Sequence, residues 1–259
     1  MIKEYMAGII DSESYFRIQK KDNWLQCGID FCLGMTDRAP VEWVVKRYGA
    51  TFQIENRGPD LKTMYYARLG KYNILPLIND MLPYLNEKYQ QALKIKTYLS
   101  LSKQDQKTFA QATRDDFLST RYTGSVRFFS IRYLAGIIDG DGWISLYNSE
   151  RDGVTVSIGL EQCFHPLPKY LSELYGGGFS VNKPAKIQHR QTASWRIGHH
   201  ETLRLLNDLK SYLILKKDRA LYVLSLFEAI DKLEQQKQNL KSKAVEEYRL
   251  LDPKISAIN

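Results

Sequence analysis

Residues 5–13 read YMAGIIDSE and residues 133–141 read YLAGIIDGD, the same pattern repeated 128 positions later. The same offset returns downstream, where residues 75–93 align with residues 203–221 through shared ND, YL and AL pairs. Self-similarity at a constant spacing indicates a repeated structural unit. We therefore interpret the chain as two colinear copies of one unit.

Each copy predicts the same order of elements: a helix, two strands, a second helix, two more strands and a last helix. After the first nonapeptide, Phe16 and Ile18 alternate with polar or aromatic neighbours, which is typical of a strand with one buried face. In the second copy, Ile144 and Leu146 are expected to face the core. The alternate residues from Val154 to Leu160 are expected to do the same on the next strand.

Helices are also predicted near Ala39–Tyr48 and Leu167–Tyr175, because each stretch ends at a glycine. The predicted fold class is α+β, with two pseudo-symmetric αββαββα repeats and an antiparallel sheet in each. We place the first repeat at residues 1–101 and the second at residues 126–259. The polar, weakly periodic stretch 102–125 is interpreted as the linker.

Gly8 and Gly136 lie inside predicted helices, where a glycine costs about 1 kcal/mol relative to alanine. Each is followed four positions later by a small residue, Ser12 and Gly140, so each helix presents a stripe of small residues on one face. Two such stripes in contact would let the helix backbones approach closely, as in a symmetric dimer joined into one chain. The repeat therefore predicts that the two helices pack against each other around a pseudo-twofold axis.

This packing would bring together the helix ends at which Glu13 and Asp141 occupy the same repeat position. Helix C-termini carry partial negative charge and carbonyls without helical partners. Two carboxylates there would repel each other unless a cation lay between them, and Mg²⁺ prefers carboxylate, carbonyl and water oxygens. For one copy alone, an ordinary capping or solvated acid would be the preferred interpretation. An acid at the same place in both copies favours a metal site.

Residues 6–14 and 134–142 resemble the LAGLIDADG motif of homing endonucleases, and the αββαββα order is similar to that family's fold. The resemblance covers nearly the whole chain. It implies a single-chain, two-motif enzyme that hydrolyses one phosphodiester in each strand of a double-stranded DNA target. In the first motif, Glu13 stands in place of the family's aspartate and Ser14 in place of its glycine, which implies metal positions that differ between the two halves.

The resemblance also implies a set of metal ligands. Glu13 and Asp141 would bind two or three Mg²⁺ ions, with the carbonyls of Ser12 and Gly140 contributing. Mn²⁺ or Ca²⁺ would be able to replace Mg²⁺ for binding. The acids two positions before the ligands, Asp11 and Asp139, would hold the helix ends.

The family further places a basic residue beside each scissile phosphate, just before its C-terminal helix. Residues 83–88, PYLNEK, resemble that pattern and give Lys88, and the repeat offset gives Lys216. A lysine there would polarise the attacking water or stabilise the pentavalent phosphate, although a surface lysine at a helix start is an equally good interpretation. Gln162 matches a family position that orients water, whereas its counterpart in the first copy is Met35.

Polar, aromatic and cationic side chains alternate along the outer faces of the predicted strands. Antiparallel ribbons fit the major groove of DNA and read base edges. We therefore expect two different reading faces and a long target that is not palindromic. The first face is predicted to contain Arg17, Gln19, Lys20, Asp30, Lys62, Tyr66 and Arg68. The second face is predicted to contain Ser145, Tyr147, Asn148, Thr155, Ser157, Arg190, Thr192, Ser194 and Arg196.

Composition limits the remaining classes of protein. The net charge of +8 is compatible with a polyanionic partner. The three cysteines, Cys27, Cys32 and Cys163, lack the spacing of a disulfide framework or of a zinc site. Neither a signal core nor a membrane-length apolar run occurs. We expect an intracellular monomer that does not contact membranes, in an organelle or in a prokaryotic cytoplasm.

An intron-encoded endonuclease is thus the predicted function, and two others are compatible with the same fold. A group I intron maturase would bind intron RNA through the basic surface. A DNA-binding regulator without catalysis is the third, and the acids present in both motifs argue against it. An intein is disfavoured, since the sequence has neither a Cys or Ser at its start nor a His-Asn pair at its end.

Overall fold

The computed structural model of the chain describes residues 2–20, 27–113, 124–149, 153–183 and 190–251. Two compact units are formed, Met1–Lys217 and Asp218–Asn259. The helices are α1 (Lys3–Glu13), α2 (Arg38–Tyr48), α3 (Ile74–Met81), α4 (Tyr89–Ser100), α5 (Lys103–Thr113), α6 (Ile131–Gly140), α7 (Pro166–Tyr175), α8 (His199–Leu209) and α9 (Lys217–Leu251). The strands are β1 (Ser14–Lys20), β2 (Cys27–Met35), β3 (Thr51–Glu55), β4 (Met64–Gly70), β5 (Gly142–Ser149), β6 (Gly153–Gln162), β7 (Gly178–Asn182) and β8 (Thr192–Ile197).

The strands form two antiparallel four-stranded sheets with the same topology. Their orders are β1-β2-β4-β3 and β5-β6-β8-β7. Arg17 lies opposite Asp30 in the first sheet, and Ser145 lies opposite Ser157 in the second. Strands β2 and β6 therefore correspond at an offset of 127 residues, one fewer than the motif helices. The predicted α+β fold with one sheet in each repeat is confirmed.

The core of the first unit is built around the two motif helices. α1 and α6 pack against each other, and Tyr5–Asp11 and Tyr133–Asp139 are buried throughout. Ser130 caps the start of α6, because its hydroxyl accepts a hydrogen bond from the main-chain N–H of Tyr133 at 3.1 Å. α2 packs on β2 and β4, and α7 packs on β6 and β8. Helices therefore cover one face of each sheet and leave the other to polar side chains.

Each repeat has two helices after its fourth strand, where the predicted αββαββα order has one. The C-terminal helix expected just after Lys88 and just after Lys216 is confirmed as α4 and α9. α3 ends at Met81 and α4 begins at Tyr89, while α8 ends at Leu209 and α9 begins at Lys217. In the first repeat, Pro83 lacks the N–H that would continue α3. In both repeats, main-chain N–H groups of the intervening segment donate to a buried aspartate instead of to helix carbonyls.

Some of the other predictions about helices and buried residues are confirmed, and others are wrong. The helices predicted near Ala39–Tyr48 and Leu167–Tyr175 are confirmed as α2 and α7. Leu146 and Val154, expected to face the core, are 40% and 38% exposed, because burial fades toward the end of the β5–β6 hairpin. The boundaries 1–101, 102–125 and 126–259 stay a prediction, with α5 inside the predicted linker. Among the described residues, no helix combines the length and apolar character needed to cross a membrane.

Candidate active site

The two motif helices approach each other most closely at their glycines. A β-carbon added to Gly8 would overlap the main-chain oxygen of Tyr133, and one added to Gly136 would overlap that of Tyr5. One turn further on, a β-carbon at Gly140 would lie 2.5 Å from the β-carbon of Ser12. The predicted contact between two small-residue stripes is therefore confirmed.

Two tyrosines tie the helices together across the pseudo-twofold axis. Tyr133 donates from its hydroxyl to Asp11 Oδ2 at 2.9 Å, and Tyr5 donates to Asp139 Oδ2 at 2.8 Å. Burial raises the pKa of both phenols, so both remain protonated donors. The sequence repeat pairs Tyr5 with Tyr133, but it did not predict that each hydroxyl would bind the aspartate of the opposite helix.

Asp11 holds the segment that separates α3 from α4. Its carboxylate accepts hydrogen bonds from the main-chain N–H groups of Asn86 at 2.7 Å and Lys88 at 2.9 Å. Burial raises the pKa of Asp11 to about 6, and the charge of Lys88 opposes this shift. Asn86 in turn accepts main-chain hydrogen bonds from Arg127 and Phe128, at 2.6 and 3.0 Å.

Asp139 has the equivalent position in the second repeat. It accepts main-chain hydrogen bonds from Ile214 at 2.7 Å, Leu215 at 3.0 Å and Lys216 at 2.8 Å. The acids two positions before the predicted ligands thus fix the segments that bring the two lysines to the motif helices.

Both lysines bind the C-terminal ends of the motif helices. Lys88 Nζ donates to the main-chain oxygen of Asp11, and the Lys88 side chain is fully buried. Lys216 Nζ donates to the main-chain oxygens of Ile138 at 2.7 Å and Asp139 at 2.6 Å, and it lies 3.4 Å from that of Gly140. Cations are stabilising at this end of a helix, where carbonyls are left without partners.

Glu13 is the last residue of α1, and Asp141 follows the last residue of α6. Burial has the largest effect and raises the pKa of Glu13, and the negative charge of Asp141 raises it further. The positive charges of Lys216 and Lys88 lower it. Burial likewise raises the pKa of Asp141. Asp141 therefore lies close enough to Glu13 to disfavour its ionisation, as the sequence predicted for adjoining helix ends.

Gln162 supplies a second polar group at Asp141. Its Nε2 donates to Asp141 Oδ2 at 2.7 Å, which holds the pKa of Asp141 down against the effect of burial. Gln162 Oε1 is buried and accepts no hydrogen bond from the described residues. Met35, its counterpart, is buried at the end of β2 and has no such group.

These residues fit a divalent cation. Two neighbouring carboxylates, together with main-chain oxygens at two helix ends, form the oxygen-rich ligand set that Mg²⁺ and Ca²⁺ take. Within the described ranges, no group of three or more His, Cys, Asp and Glu side chains could hold a metal ion by itself. A cation bound by Glu13 and Asp141 would therefore complete its coordination with carbonyl, water or substrate oxygens.

The outer face of the first sheet is a network of charged and aromatic side chains. Arg17 pairs with Asp30 at 2.9 Å. Arg68 donates to Gln53 Oε1 at 2.8 Å and to the Tyr15 hydroxyl at 3.2 Å. Tyr15 and Gln53 are absent from the predicted reading face, although alternation along β1 and β3 places both there.

The second outer face carries small hydroxyl groups instead. Ser194 and Ser180 share a hydrogen bond at 2.8 Å, and Thr192 donates to Glu161. The expectation that Ser157 is exposed on this face is wrong, because the residue is fully buried and its hydroxyl has no partner among the described residues. Strand alternation gives the side of a sheet, but not whether neighbouring side chains cover it.

The remaining predicted contacts lie at the margins of the sheets. Lys62 and Arg190 are exposed in the connections before β4 and β8 rather than on the strands. Gln19 and Lys20 belong to the backbone of β1, and their side chains lie outside the described part of the structure. Among the other residues predicted for the two reading faces, Tyr147, Asn148 and Arg196 are exposed on their strands, and Tyr66, Ser145 and Thr155 are half-buried.

Comparisons of the amino-acid sequence with known proteins find no match. No family model matches the chain. The search of curated proteins also gives no match.

Solved structures, in contrast, match over nearly the whole chain. The LAGLIDADG meganuclease I-AabMI bound to uncleaved DNA is 17% identical, with a TM-score of 0.65 over 88% of this chain and 92% of its own. The meganuclease I-SmaMI bound to uncleaveable DNA is 16% identical, with a TM-score of 0.64 over 97% and 95%. The LAGLIDADG homing endonuclease I-GzeII in complex with its DNA target is 16% identical, with a TM-score of 0.62 over 95% of each chain. Together with the paired motif helices and the two matching sheets, these likenesses show that the protein has the single-chain, two-motif LAGLIDADG homing endonuclease fold.

Proposed function

We propose that this protein is a member of the LAGLIDADG family and a site-specific DNA endonuclease. It would act as a monomer on a long, non-palindromic duplex and hydrolyse one phosphodiester in each strand with Mg²⁺, as the product of a mobile intron. The observation that carries the proposal is the pair of carboxylates, Glu13 and Asp141, at the adjoining ends of two closely packed helices. The DNA bound to I-AabMI, I-SmaMI and I-GzeII supports DNA as the partner.

Each residue at the helix ends has a distinct part in this reaction. Glu13 and Asp141 hold the cations with help from the main-chain oxygens of Ser12 and Gly140. Bound there, the metal ions would supply an activated water and stabilise the leaving oxygen. Gln162 fixes Asp141 through its amide nitrogen and can orient water through its unpartnered oxygen.

The two lysines add positive charge next to these carboxylates. Lys88 and Lys216 both lower the pKa of Glu13 and of Asp141, so their charge reaches the place where the phosphate would react. Positive charge held in advance at that position stabilises the pentavalent phosphate. Without DNA, both ammonium groups bind main-chain carbonyls at the helix ends. Their positions are therefore fixed before DNA binds.

The decisive experiment is to incubate the protein with a library of duplex DNA targets and Mg²⁺ and to sequence the ends produced. We expect cleavage at one long sequence and its near variants, lost when EDTA replaces Mg²⁺. Failure to cut any duplex, with intact binding of intron RNA, would overturn the endonuclease assignment and favour the maturase. Tight DNA binding without cutting would favour the regulator.

Calcium is expected to stabilise the protein without any DNA. Since the pKa values of Glu13 and Asp141 are raised, the folded protein holds protons that the unfolded chain releases, and metal-free stability falls as pH rises above the ordinary carboxyl range. Bound Ca²⁺ offsets this repulsion, by about 2.7 kcal/mol at a concentration 100-fold above its Kd. Tm measured against pH should show a larger calcium effect at pH 8 than at pH 5.

Glu13→Gln provides the matched control for this measurement. The variant should have a higher Tm than the wild type in EDTA, because one repelling charge is gone, and a smaller response to Ca²⁺. Equal calcium responses in the two proteins would show that the ion binds elsewhere. An equal ionic strength of K⁺ is the control for screening.

Arg68 is expected to determine one base of the target. Its guanidinium is exposed on β4 and held by Gln53 and Tyr15, so little side-chain freedom is lost when it binds a guanine in bidentate geometry. Arg68→Ala should weaken binding by about 1–3 kcal/mol and relax the preference at a single position. Selection from the same library measures both effects. Lys46→Ala, on helix α2 at the opposite face of the sheet, is the control and should change neither the affinity nor the base preference. If Arg68→Ala instead weakens binding equally for every target sequence, Arg68 contacts a phosphate and not a base.

A further inference from the structure

Glu87 is an acid that lies almost completely inside the protein. It belongs to the segment between α3 and α4, immediately before Lys88, and is only 5% exposed. A buried carboxylate is costly unless a cation compensates it. Neither the motif nor the repeat draws attention to this position.

The ammonium of Lys88 is one cation that compensates it. Lys88 Nζ lies 3.6 Å from Glu87 Oε1, and the two side chains are 0% and 6% exposed. Because both groups are out of water, their charges act on each other with little screening. Part of the positive charge that Lys88 could offer to a phosphate is therefore cancelled by Glu87.

The second repeat has a different residue at this position. The offset of 128 places Leu215 against Glu87 and Lys216 against Lys88. Leucine is uncharged, so Leu215 does not act on the ammonium of Lys216 as the carboxylate of Glu87 acts on that of Lys88. The two repeats, which share the lysine and the aspartate that holds it, thus differ at the residue next to the lysine.

We propose that Glu87 is a positioning residue that weakens the action of Lys88 and makes the two DNA strands break at unequal rates. This inference rests on the proposed endonuclease function. The half of the site that contains Lys88 would be the slower one, since less net positive charge faces the pentavalent phosphate there. A duplex nicked in one strand would then accumulate before the second strand is cut.

The test follows both strands of one target, end-labelled in two colours and taken from the library selection, under excess enzyme and Mg²⁺. Glu87→Gln keeps the shape and removes the charge, and Glu87→Leu introduces the residue that the second repeat uses. Each should raise the rate on the slower strand about tenfold, which corresponds to about 1.4 kcal/mol, and leave the faster strand within about twofold. Lys88→Met identifies the strand that Lys88 serves, and this should be the same slower strand.

Two further variants separate this role from a structural one. Glu87→Asp retains the charge and should retain the wild-type ratio of strand rates, whereas Leu215→Glu should slow the other strand and bring the two rates together. Glu173→Gln, an exposed surface change on α7, is the control for any loss of an acid. Tm and DNA affinity are measured for every variant.

The possible failures are distinguishable. If the wild type cuts both strands at one rate, or if Glu87→Gln leaves their ratio unchanged, the role of Glu87 is overturned while the endonuclease function stands. An equal slowing of both strands would likewise make Glu87 a purely structural residue. If the wild type cuts no duplex, the proposed function fails and this inference falls with it.

Discussion

Glu13→Gln is expected to abolish DNA cleavage while leaving DNA binding intact, and Asp141→Asn is expected to do the same. Each change removes a charged oxygen ligand at a helix end but keeps nearly the same shape. A metal ion contributes several kcal/mol of transition-state stabilisation, so the loss in single-turnover rate should be roughly 10³-fold or more. Affinity should persist because the residues expected to contact bases lie on the sheets.

Binding by mobility shift in Ca²⁺ and cleavage of the selected target in Mg²⁺ measure the two effects separately. Glu42→Gln, on the surface of α2 and paired with Arg38, removes an acid outside the proposed site and should change neither. Persistent cleavage by both active-site variants would show that the metal ligands have been assigned wrongly. Cleavage of one strand only, in one variant, would show that the two carboxylates serve different strands.

Gly136→Ala is expected to destabilise the protein by about 3 kcal/mol, the upper range for overpacking a closely packed interior. The added β-carbon would overlap the main-chain oxygen of Tyr5, and main chain cannot move aside as a flexible side chain can. The helices would have to separate, with loss of contact along α1 and α6. Gly8→Ala should behave in the same way, because its β-carbon would meet Tyr133.

The sign of this effect makes the measurement decisive. Without the helix contact, glycine to alanine inside a helix would stabilise by about 1 kcal/mol. Urea unfolding should instead show a loss, with Tm falling by about 2–4 °C for each kcal/mol. Gly70→Ala is the matched control, since a β-carbon there meets no atom within 4 Å. A stabilised Gly136→Ala variant would contradict the close approach of the two helices.

Several features of the fold and the site could be predicted from the sequence because they depend on periodicity. Strand alternation placed Phe16 and Ile144 in the core, and glycines marked the ends of α2 and α7. The repeat placed Glu13 and Asp141 at equivalent helix ends, and the small-residue stripes on the two helices predicted that those ends meet. The resemblance to one family supplied the site that such a meeting would form.

Other features depend on contacts between distant segments, and local patterns do not encode them. The crossed bonds of Tyr5 and Tyr133 join residues more than 100 positions apart. The division of the predicted last helix follows from a buried aspartate that accepts its main-chain N–H groups. Ser157 alternates correctly for an outer face, yet it is fully buried.

By itself the sequence determined the two copies, most of their elements and the two acids at adjoining helix ends, since each of these follows from the spacing of residues along the chain. Only the tertiary structure decided what surrounds those acids. It buried Glu87 beside Lys88, where the repeat has Leu215, and it set Gln162 against Asp141 where the other half has Met35. The effect of a charge depends on its distance from other charges and from water, and these distances exist only after the chain has folded.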